Sequence, residues 1–152
     1  MQTKSRTAEE MYGFVGRAVK QFMTQNVVSV TRQTIRDLAV LFETHDFNAF
    51  PVVEDGKLCG IISKFDFLRT FAFTTSQVVP HYNELMDRPA AEVMTEAVVH
   101  VDPTSPLTRI LQLMVSLKTR SFPVMSADGQ LEGMISREDV MRALKETTQE
   151  AR

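Results

Sequence analysis

Apolar residues recur along this 152-residue chain with helical spacing in some segments and strand-like clustering in others. From Ile35 to Phe42 they fall three, four and seven residues apart, which places them on one face of a helix. The segment from Leu107 to Met114 has the same stripe. Between these segments lie runs of β-branched and aromatic residues, which are typical of strands. The predicted strands are Val27–Val30, Phe50–Val53, Leu58–Ile62, Val98–Val101, Phe122–Met125 and Leu131–Ile135.

Polar residues mark where these elements start and turn. Thr34, with Asp37 three residues on, is the predicted N-cap of the first striped helix. Ser105 is the predicted N-cap of the second, with Pro106 at its first helical position. An Asp-Gly pair at residues 55 and 56 predicts a tight hairpin between two strands.

The whole pattern occurs twice, at an offset that grows from 71 to 73 residues. The stretch FPVVEDGKLCGIISKFD corresponds to FPVMSADGQLEGMISRED, and a Met-Thr pair precedes each copy. Each copy therefore reads β-α-β-β-α, with a second helix from Phe65 to about Phe73 in one and from Arg137 in the other. The predicted fold class is mixed α/β (α+β). A half of this size buries too little apolar surface to be stable by itself. The two sheets are therefore expected to pack on each other.

Three segments lie outside the two copies. The predicted divisions are 1–22 (N-terminal helix), 23–73 (first copy), 74–90 (linker), 91–146 (second copy) and 147–152 (C-terminal tail). Thr7 and Glu10 form a capping box, and helical apolar spacing continues to Phe22, so the first segment is expected to be an amphipathic helix. That helix either covers the core or forms a dimer contact. The linker carries enough apolar residues to pack on the domain.

The repeated residues resemble the signature of paired CBS domains (cystathionine β-synthase domains), an arrangement called a Bateman module. The signature positions are Met23, Thr24, Val28, Pro51, Gly60, Ser63 and Asp66, and Met94, Thr95, Val99, Pro123, Gly133, Ser136 and Asp139. The resemblance covers residues 20 to about 144. It implies a disc in which the copies are related by a pseudo-two-fold axis. It also implies an inter-copy cleft that binds AMP, ADP or ATP, or in some members S-adenosylmethionine or a cyclic dinucleotide such as cyclic di-AMP. The implied role is regulatory.

Each copy has a Ser-x-x-Asp sequence where a strand ends and a helix begins, at Ser63–Asp66 and Ser136–Asp139. In structural terms this is a capping box, which stabilises a helix by about 1 kcal/mol. In functional terms, a helix N-terminus suits a phosphate, and a carboxylate can accept both hydroxyls of a ribose. Glu would cap equally well, yet both copies have Asp, which favours the functional interpretation.

The resemblance also implies that residues just before the Phe-Pro-Val of one copy face the Ser-x-x-Asp of the other. The two predicted sites are Ser136 and Asp139 with Asn48 and Ala49, and Ser63 and Asp66 with Arg120 and Ser121. Arg120 would hold phosphate through a bidentate guanidinium, or else be a solvated loop residue. Because Asn48 lacks that charge, the two sites should differ. Adenine would lie against Val28 and Val99, whose ordinary alternative is core packing.

The composition and net charge of the chain argue against several classes of binding partner. With a net charge of −2 and a pI near 5.9, the protein has no overall positive potential that would attract nucleic acid. No apolar run is long enough to span a membrane. A single cysteine and no signal-peptide pattern lead us to expect a cytoplasmic location. The three histidines have no metal-ligand spacing, and no nucleophile or phosphate-loop motif occurs. We therefore expect no metal, no required cofactor and no enzymatic activity.

The sequence thus predicts a stand-alone regulatory module that binds an adenine nucleotide and signals by a change of shape. We expect it to form a homodimer and to act on a separate effector protein. The alternative is a protein-interaction or dimerisation module with vestigial clefts, which the uncharged Asn48 favours. An enzyme acting on the nucleotide would have only Asp66 and Asp139 as candidate bases. A Mg²⁺ sensor would need a dense carboxylate cluster, which the sequence lacks.

Overall fold

The protein is described here by a computed structural model, which covers residues 12–73, 75–96 and 98–148 and the backbone of 149–150. The chain divides into two compact units. The first unit is Val27–Val98. The second unit is made of two separate stretches, the chain up to Asn26 and the chain from Val99 onward. Each unit contains one antiparallel hairpin, which confirms the predicted duplication and the mixed helix-and-strand class.

The first unit is built around one hairpin and the helices that flank it. Its elements are helix α1 (Ile35–Thr44), strands β1 (Ala49–Glu54) and β2 (Lys57–Ser63), helices α2 (Lys64–Arg69) and α3 (Tyr82–Met86), and a 3-10 turn at Ala90–Val93. Asp55 and Gly56 both have positive φ angles, 51° and 78°, as a two-residue type I′ turn requires. Its core comprises Val30, Leu38, Phe50, Val52, Ile62 and Ala90.

The second unit repeats this plan with longer helices. Its elements are 3-10 turns at Gly13–Gly16 and Val19–Gln21, helix α4 (Leu107–Leu117), strands β3 (Ser121–Met125) and β4 (Leu131–Ser136), and helix α5 (Arg137–Glu150). Its core comprises Phe14, Val19, Val101, Leu107, Ile110, Met114, Phe122, Val124, Ile135, Val140 and Ala143. Both striped helices predicted from the sequence therefore face a core.

The first strand predicted for each copy is not a strand. Val30 joins the hairpin through a single parallel bridge to Val52, with its amide donating to the Pro51 carbonyl at 2.8 Å. The next parallel pair, at Val28, would need an amide hydrogen from Pro51, which proline lacks. The second copy repeats this arrangement with Val101, Val124 and Pro123. The predicted first strand of each copy therefore contributes a single bridge to its hairpin.

The predicted N-terminal helix is wrong over its described part, and its capping box of Thr7 and Glu10 lies outside the described residues. From residue 12 the chain forms the two 3-10 turns, separated by extended backbone at Arg17 and Ala18. Amide groups of this segment donate to carbonyl oxygens of the loop before α4, at 2.9 Å. Two glycines, each costing a helix about 1 kcal/mol relative to alanine, favour this pairing over a helix.

The predicted cap of α1 is confirmed. The Asp37 amide donates to the Thr34 hydroxyl at 3.2 Å, and the Thr34 amide donates to the Asp37 carboxylate at 3.0 Å. This reciprocal pair satisfies two amide groups that the first turn of a helix would otherwise leave unpaired. It provides an exposed capping box with which those of the two Ser-x-x-Asp sequences can be compared.

The predicted cap of α4 is wrong. Helix α4 begins at Leu107 with Pro106 as its N-cap, and no side chain caps it. Ser105 instead belongs to the preceding turn, where its hydroxyl accepts from the Asp102 amide at 3.3 Å. In the same turn the Thr104 hydroxyl and amide donate to the Asp102 carboxylate, and these hydrogen bonds lower the pKa of Asp102.

The segment that joins the two copies is buried at some positions and exposed at others. Leu85 and Met86 of α3 are buried, but Val78 is 97% exposed and Val79 is also exposed. Helix α2 ends at Arg69, four residues earlier than predicted, because the chain then forms shorter turns with amide-to-carbonyl bonds three residues apart. The linker therefore packs only near its end.

The Met-Thr pair ahead of each copy belongs to the hairpin of the other copy. Thr24 and Met134 of β4 exchange two backbone hydrogen bonds, of 2.8 and 3.0 Å. Ile61 of β2 and Thr95 exchange two more, of 3.0 and 2.9 Å. The sequence division placed Met23 and Thr24 in the first copy, whereas the structure places them in the second unit. We call residues 17–26 and 89–96 the exchanged segments.

Candidate functional site

The strand–helix junction of the first unit is a capping box around a buried carboxylate. Ser63 is the N-cap of α2, with extended backbone angles. The Asp66 amide donates to the Ser63 hydroxyl at 3.0 Å, and the Ser63 amide donates to Asp66 Oδ2 at 2.9 Å. Asp66 is 5% exposed. The structural interpretation of this Ser-x-x-Asp sequence is therefore confirmed.

The second unit has the same box at the start of α5. The Ser136 amide donates to Asp139 Oδ2 at 2.9 Å, and the Asp139 amide donates to the Ser136 hydroxyl at 3.2 Å. The Ser136 hydroxyl also donates to Asp139 Oδ2, at 2.9 Å. Asp139 is 4% exposed. Two buried carboxylates of the same geometry therefore occur in this small protein, one in each unit.

The second oxygen of each carboxylate is paired with an arginine three residues on. Arg69 Nη2 lies 3.0 Å from Asp66 Oδ1, and Arg142 Nη1 lies 3.3 Å from Asp139 Oδ1. This spacing brings two side chains together on the surface of a helix. The arginine side chains are 59% and 49% exposed, so each carboxylate is covered by a side chain that water can reach. Oδ2 is committed to the helix cap, and Oδ1 lies towards the arginine.

In the first unit the hairpin register places two predicted site residues beside the capping box. Ala49 pairs with Ser63 across β1 and β2. The carbonyl of Asn48 accepts from the Lys64 amide, in the first turn of α2, at 3.0 Å. Asn48 and Ala49 are both half-buried. The structure therefore brings these residues together with the Ser-x-x-Asp of their own copy.

The second unit makes the equivalent arrangement. Ser121, which is buried, pairs with Ser136, and the carbonyl of Arg120 accepts from the Arg137 amide at 2.9 Å. The Arg120 side chain is exposed, and no carboxylate within the described ranges forms an ion pair with it. The assignment of each such pair to the carboxylate of the other copy stays a prediction.

The two valines predicted to face adenine differ in their surroundings. Val28 is half-buried and packs against the core of the first unit, which is the ordinary role that the sequence left open. Val99 is exposed. Because Pro51 and Pro123 each stop the parallel pairing after one bridge, neither valine belongs to a strand of the described structure.

Sequence reasoning missed why a glycine and a Met-Thr pair recur together. A Cβ placed on Gly60 would lie 2.6 Å from the Thr95 carbonyl oxygen and 2.8 Å from Met94 Sδ. A Cβ placed on Gly133 would lie 2.6 Å from the Thr24 carbonyl oxygen. Each glycine therefore makes room for an exchanged segment. Their common repetition was the signal that could have revealed this contact.

Sequence reasoning also missed that the exchanged segments reach the carboxylates. The Thr95 hydroxyl lies 3.4 Å from Asp66 Oδ1. In the second unit the contact is indirect, because Arg142 Nη2 donates to the Phe22 carbonyl at 2.9 Å while Nη1 donates to Asp139. Both buried carboxylates are thus connected to the segment that completes their hairpin.

Other kinds of site find no support in the described part of the chain. There, no group of three or more His, Cys, Asp and Glu side chains is placed to hold a metal ion. His45 stacks on Phe47, with ring centroids 5.5 Å apart. Among the described residues, no helix has both the length and the apolar character that crossing a membrane requires. The candidate site is therefore the pair of strand–helix junctions.

Known proteins resemble this chain over most of its length. A family model described as CBS domain matches residues 19–72 and 90–146. The CBS domain-containing protein YhcV of Bacillus subtilis is 32% identical over 125 residues, which are 81% of this chain and 82% of that protein. The structure of CBSX2 in complex with AMP has a TM-score of 0.73 and 27% sequence identity. It covers 86% of this chain and 98% of that one.

Some relatives are longer. The protein MJ0188 of Methanocaldococcus jannaschii is 32% identical over 133 residues. These residues are 86% of this chain but only 45% of MJ0188. A second protein of that organism, MJ1225, is matched over 46% of its length. The chain therefore spans about half the length of these two relatives.

Proposed function

This chain belongs to the CBS-domain family, and from that premise we propose that it is a regulatory module that binds an adenosyl ligand and signals by conformational change. The observation that carries the proposal is the pair of buried aspartates at the starts of α2 and α5. Each presents one carboxylate oxygen, Oδ1, that is not used by the helix cap. CBSX2, which is 27% identical and was solved with AMP, supports a ligand of this class.

The proposed chemistry uses both ends of such a ligand. The hydroxyls of a ribose donate to Oδ1 of Asp66 or Asp139, since an ionised carboxylate accepts several hydrogen bonds. The phosphate is attracted by the positive end of the helix in whose first turn each aspartate lies. Arg120, with an exposed guanidinium, is the proposed contact for phosphate. The sequence-based assignments of Ser63, Ser121 and Ser136, of Asn48 and Ala49, and of Val28 and Val99 belong to the same proposal.

We propose a regulatory role and no catalytic one. A general base must be placed to take a proton from the reacting group. Asp66 and Asp139 already accept hydrogen bonds from a helix cap and from an arginine, and the proposal gives the remaining acceptor capacity of Oδ1 to a ribose hydroxyl. A homodimer, a cytoplasmic location and an effector protein stay predictions from the sequence.

The test is calorimetric titration with AMP, ADP, ATP, adenosine, S-adenosylmethionine and cyclic di-AMP. Asp66→Asn and Asp139→Asn remove one charge each and should weaken binding at the occupied site at least tenfold, because a charge-assisted hydrogen bond is lost. Asp37→Asn is the matched control, since Asp37 belongs to a capping box of the same geometry that is exposed and lies outside the proposed site. Thermal unfolding of each variant checks that the fold survives.

The outcomes separate the proposal from its rival. Binding of one ligand that is weakened by an aspartate substitution and unaffected by Asp37→Asn supports the regulatory module. No binding at millimolar concentrations of any of these ligands would contradict it, and the two Ser-x-x-Asp sequences would then be helix caps alone. The rival of an interaction module with vestigial clefts would take its place.

A further inference from the structure

The arginines that cover the two aspartates make different second contacts. Arg142 Nη1 donates to Asp139 Oδ1 at 3.3 Å, and its Nη2 donates to the Phe22 carbonyl at 2.9 Å. Arg69 donates to Asp66, and its guanidinium lies 5.8 Å from the centre of the Phe65 ring, on the same helix. Of these two arginines, Arg142 is therefore the one that joins a carboxylate to an exchanged segment. Arg142 Nε also lies 3.9 Å from the carboxylate of Glu146 on the same helix. We call the contacts of Arg142 with Asp139 and with the Phe22 carbonyl the Arg142 bridge.

A ligand at Asp139 would compete with one end of this bridge. Asp139 Oδ2 already accepts from the amide and the hydroxyl of Ser136, at 2.9 Å each. A ribose hydroxyl must therefore use Oδ1, where Arg142 lies. The Asp139 side chain is 6% exposed while that of Arg142 is 49% exposed, so the arginine is the group that can move aside.

The other end of the bridge holds the part of the segment that lies between two other anchors, the buried Val19 and the backbone pair of Thr24 with Met134. Phe22 is two residues from Thr24, whose amide donates to the Met134 carbonyl at 2.8 Å. Phe22 and Met23 are only partly buried, although they pack against the core of the second unit. The loss of a charge-assisted hydrogen bond at Phe22 should therefore increase the opening of this segment.

We propose that Arg142 is a positioning residue that couples occupation of Asp139 to the anchoring of residues 17–26. The guanidinium is planar and rigid, so its two donors meet Asp139 and Phe22 in one fixed orientation. When a ligand hydroxyl takes Oδ1, the guanidinium turns away and its bond to the Phe22 carbonyl weakens. The exchanged segment then opens more often. This inference rests on the proposed function, because it requires a ligand hydroxyl at Asp139.

The test is amide hydrogen exchange of residues 17–26 with and without saturating AMP. In the wild-type protein AMP should speed the exchange of the Thr24 amide. Arg142→Ala should speed it about tenfold without AMP, as the loss of a charge-assisted hydrogen bond implies, and should abolish the response to AMP. Arg69→Ala is the matched control, since it removes an arginine from the other carboxylate and should leave residues 17–26 unchanged.

A second variant guards against a folding defect. Arg142→Lys keeps the positive charge but replaces the planar guanidinium with a compact ammonium group. It should fold as the wild type does and should lose the response of Thr24 to AMP. A wild-type response in Arg142→Lys would overturn the inference, because the two donors of one rigid group would not be needed.

AMP binding, measured by calorimetry on the same samples, separates this inference from the proposed function. If neither AMP nor any other of the titrated ligands binds the wild-type protein, both fail. If another of these ligands binds instead of AMP, it replaces AMP in the exchange experiment. If AMP binds and Asp139→Asn leaves its affinity unchanged, the ligand is not at this carboxylate and only the inference fails. The same holds if AMP binds at Asp139 and alters Thr24 exchange equally in the wild type and in Arg142→Ala.

Discussion

Substituting Gly60 by alanine should test how tightly an exchanged segment is fitted against β2. The added Cβ would lie 2.6 Å from the Thr95 carbonyl oxygen and 2.8 Å from Met94 Sδ. Both distances are shorter than the 3.0 Å that real Cβ contacts keep. The sulfur can move, but the carbonyl oxygen accepts from the Ile61 amide at 3.0 Å and is fixed by that bond. The segment must therefore shift.

The expected cost follows from these contacts. Forcing an extra methyl group into a packed site costs about 1–3 kcal/mol. The shift also strains the two backbone hydrogen bonds between Ile61 and Thr95, each worth about 1 kcal/mol. Alanine restricts the unfolded chain more than glycine does, which offsets about 0.4–1 kcal/mol. We expect Gly60→Ala to lower the free energy of unfolding by about 2–4 kcal/mol.

The assay is urea unfolding, followed by circular dichroism, of a matched set of glycine variants. Gly133→Ala should behave like Gly60→Ala, since its Cβ would meet the Thr24 carbonyl oxygen at 2.6 Å. Gly16→Ala is the control, because nothing lies within 4 Å of its added Cβ, and it should stay within about 0.5 kcal/mol of the wild type. The reasoning is refuted if Gly60→Ala and Gly16→Ala unfold at the same urea concentration.

Two further substitutions separate binding from folding. Arg120→Gln should weaken the binding of AMP or ATP about tenfold, because a charged donor to phosphate is lost, while adenosine affinity, measured by the same titration, stays unchanged. An equal loss for adenosine would show that Arg120 does not contact phosphate. Thr34→Ala should lower the free energy of unfolding by about 1 kcal/mol, through loss of the α1 cap, and leave the Kd of any bound nucleotide unchanged. A changed Kd would place the α1 cap in the site.

The hairpins and the long helices were predictable because short-range patterns determine them. The Asp-Gly turn at residues 55 and 56 and the apolar runs on either side specify the register of β1 and β2. The stripes of α1 and α4 have the helical period and face their cores. The single bridges of Val30 and Val101 were predictable too, had the missing amide hydrogen of each Phe-Pro-Val proline been considered.

The N-terminal segment could not be predicted in the same way. Its apolar spacing is helical, but its backbone bonds to the loop before α4, more than 80 positions further along the chain. No local pattern reports a partner at that distance. The structure that forms there is decided by tertiary contact, which overrides a weak helical preference.

The sequence predicted the residues of the two capping boxes in the candidate site. It did not predict the contacts that the two carboxylates make with the arginines and the exchanged segments. Ser63 and Asp66 form the reciprocal cap that their spacing indicates. The burial of the carboxylate could not be inferred from sequence. The pairing of Asp66 with Arg69 could have been inferred from sequence, because Arg69 is three positions after Asp66 on a helix and the second copy repeats this spacing. The link from Arg142 to the Phe22 carbonyl depends on the exchange of segments, which the sequence division excluded.

The exchange of segments has a consequence for the order in which the chain folds. In the first unit, the bridge between the hairpin and its exchanged segment joins Ile61 to Thr95, which are 34 residues apart. In the second unit, the equivalent bridge joins Thr24 to Met134, which are 110 residues apart. Closing the longer loop costs about 1 kcal/mol more in chain entropy. During synthesis the first unit can be completed while most of the second is still unmade. The loop before α4 is then available to residues 17–20 first, whereas Thr24 has no Met134 to pair with until β4 has left the ribosome.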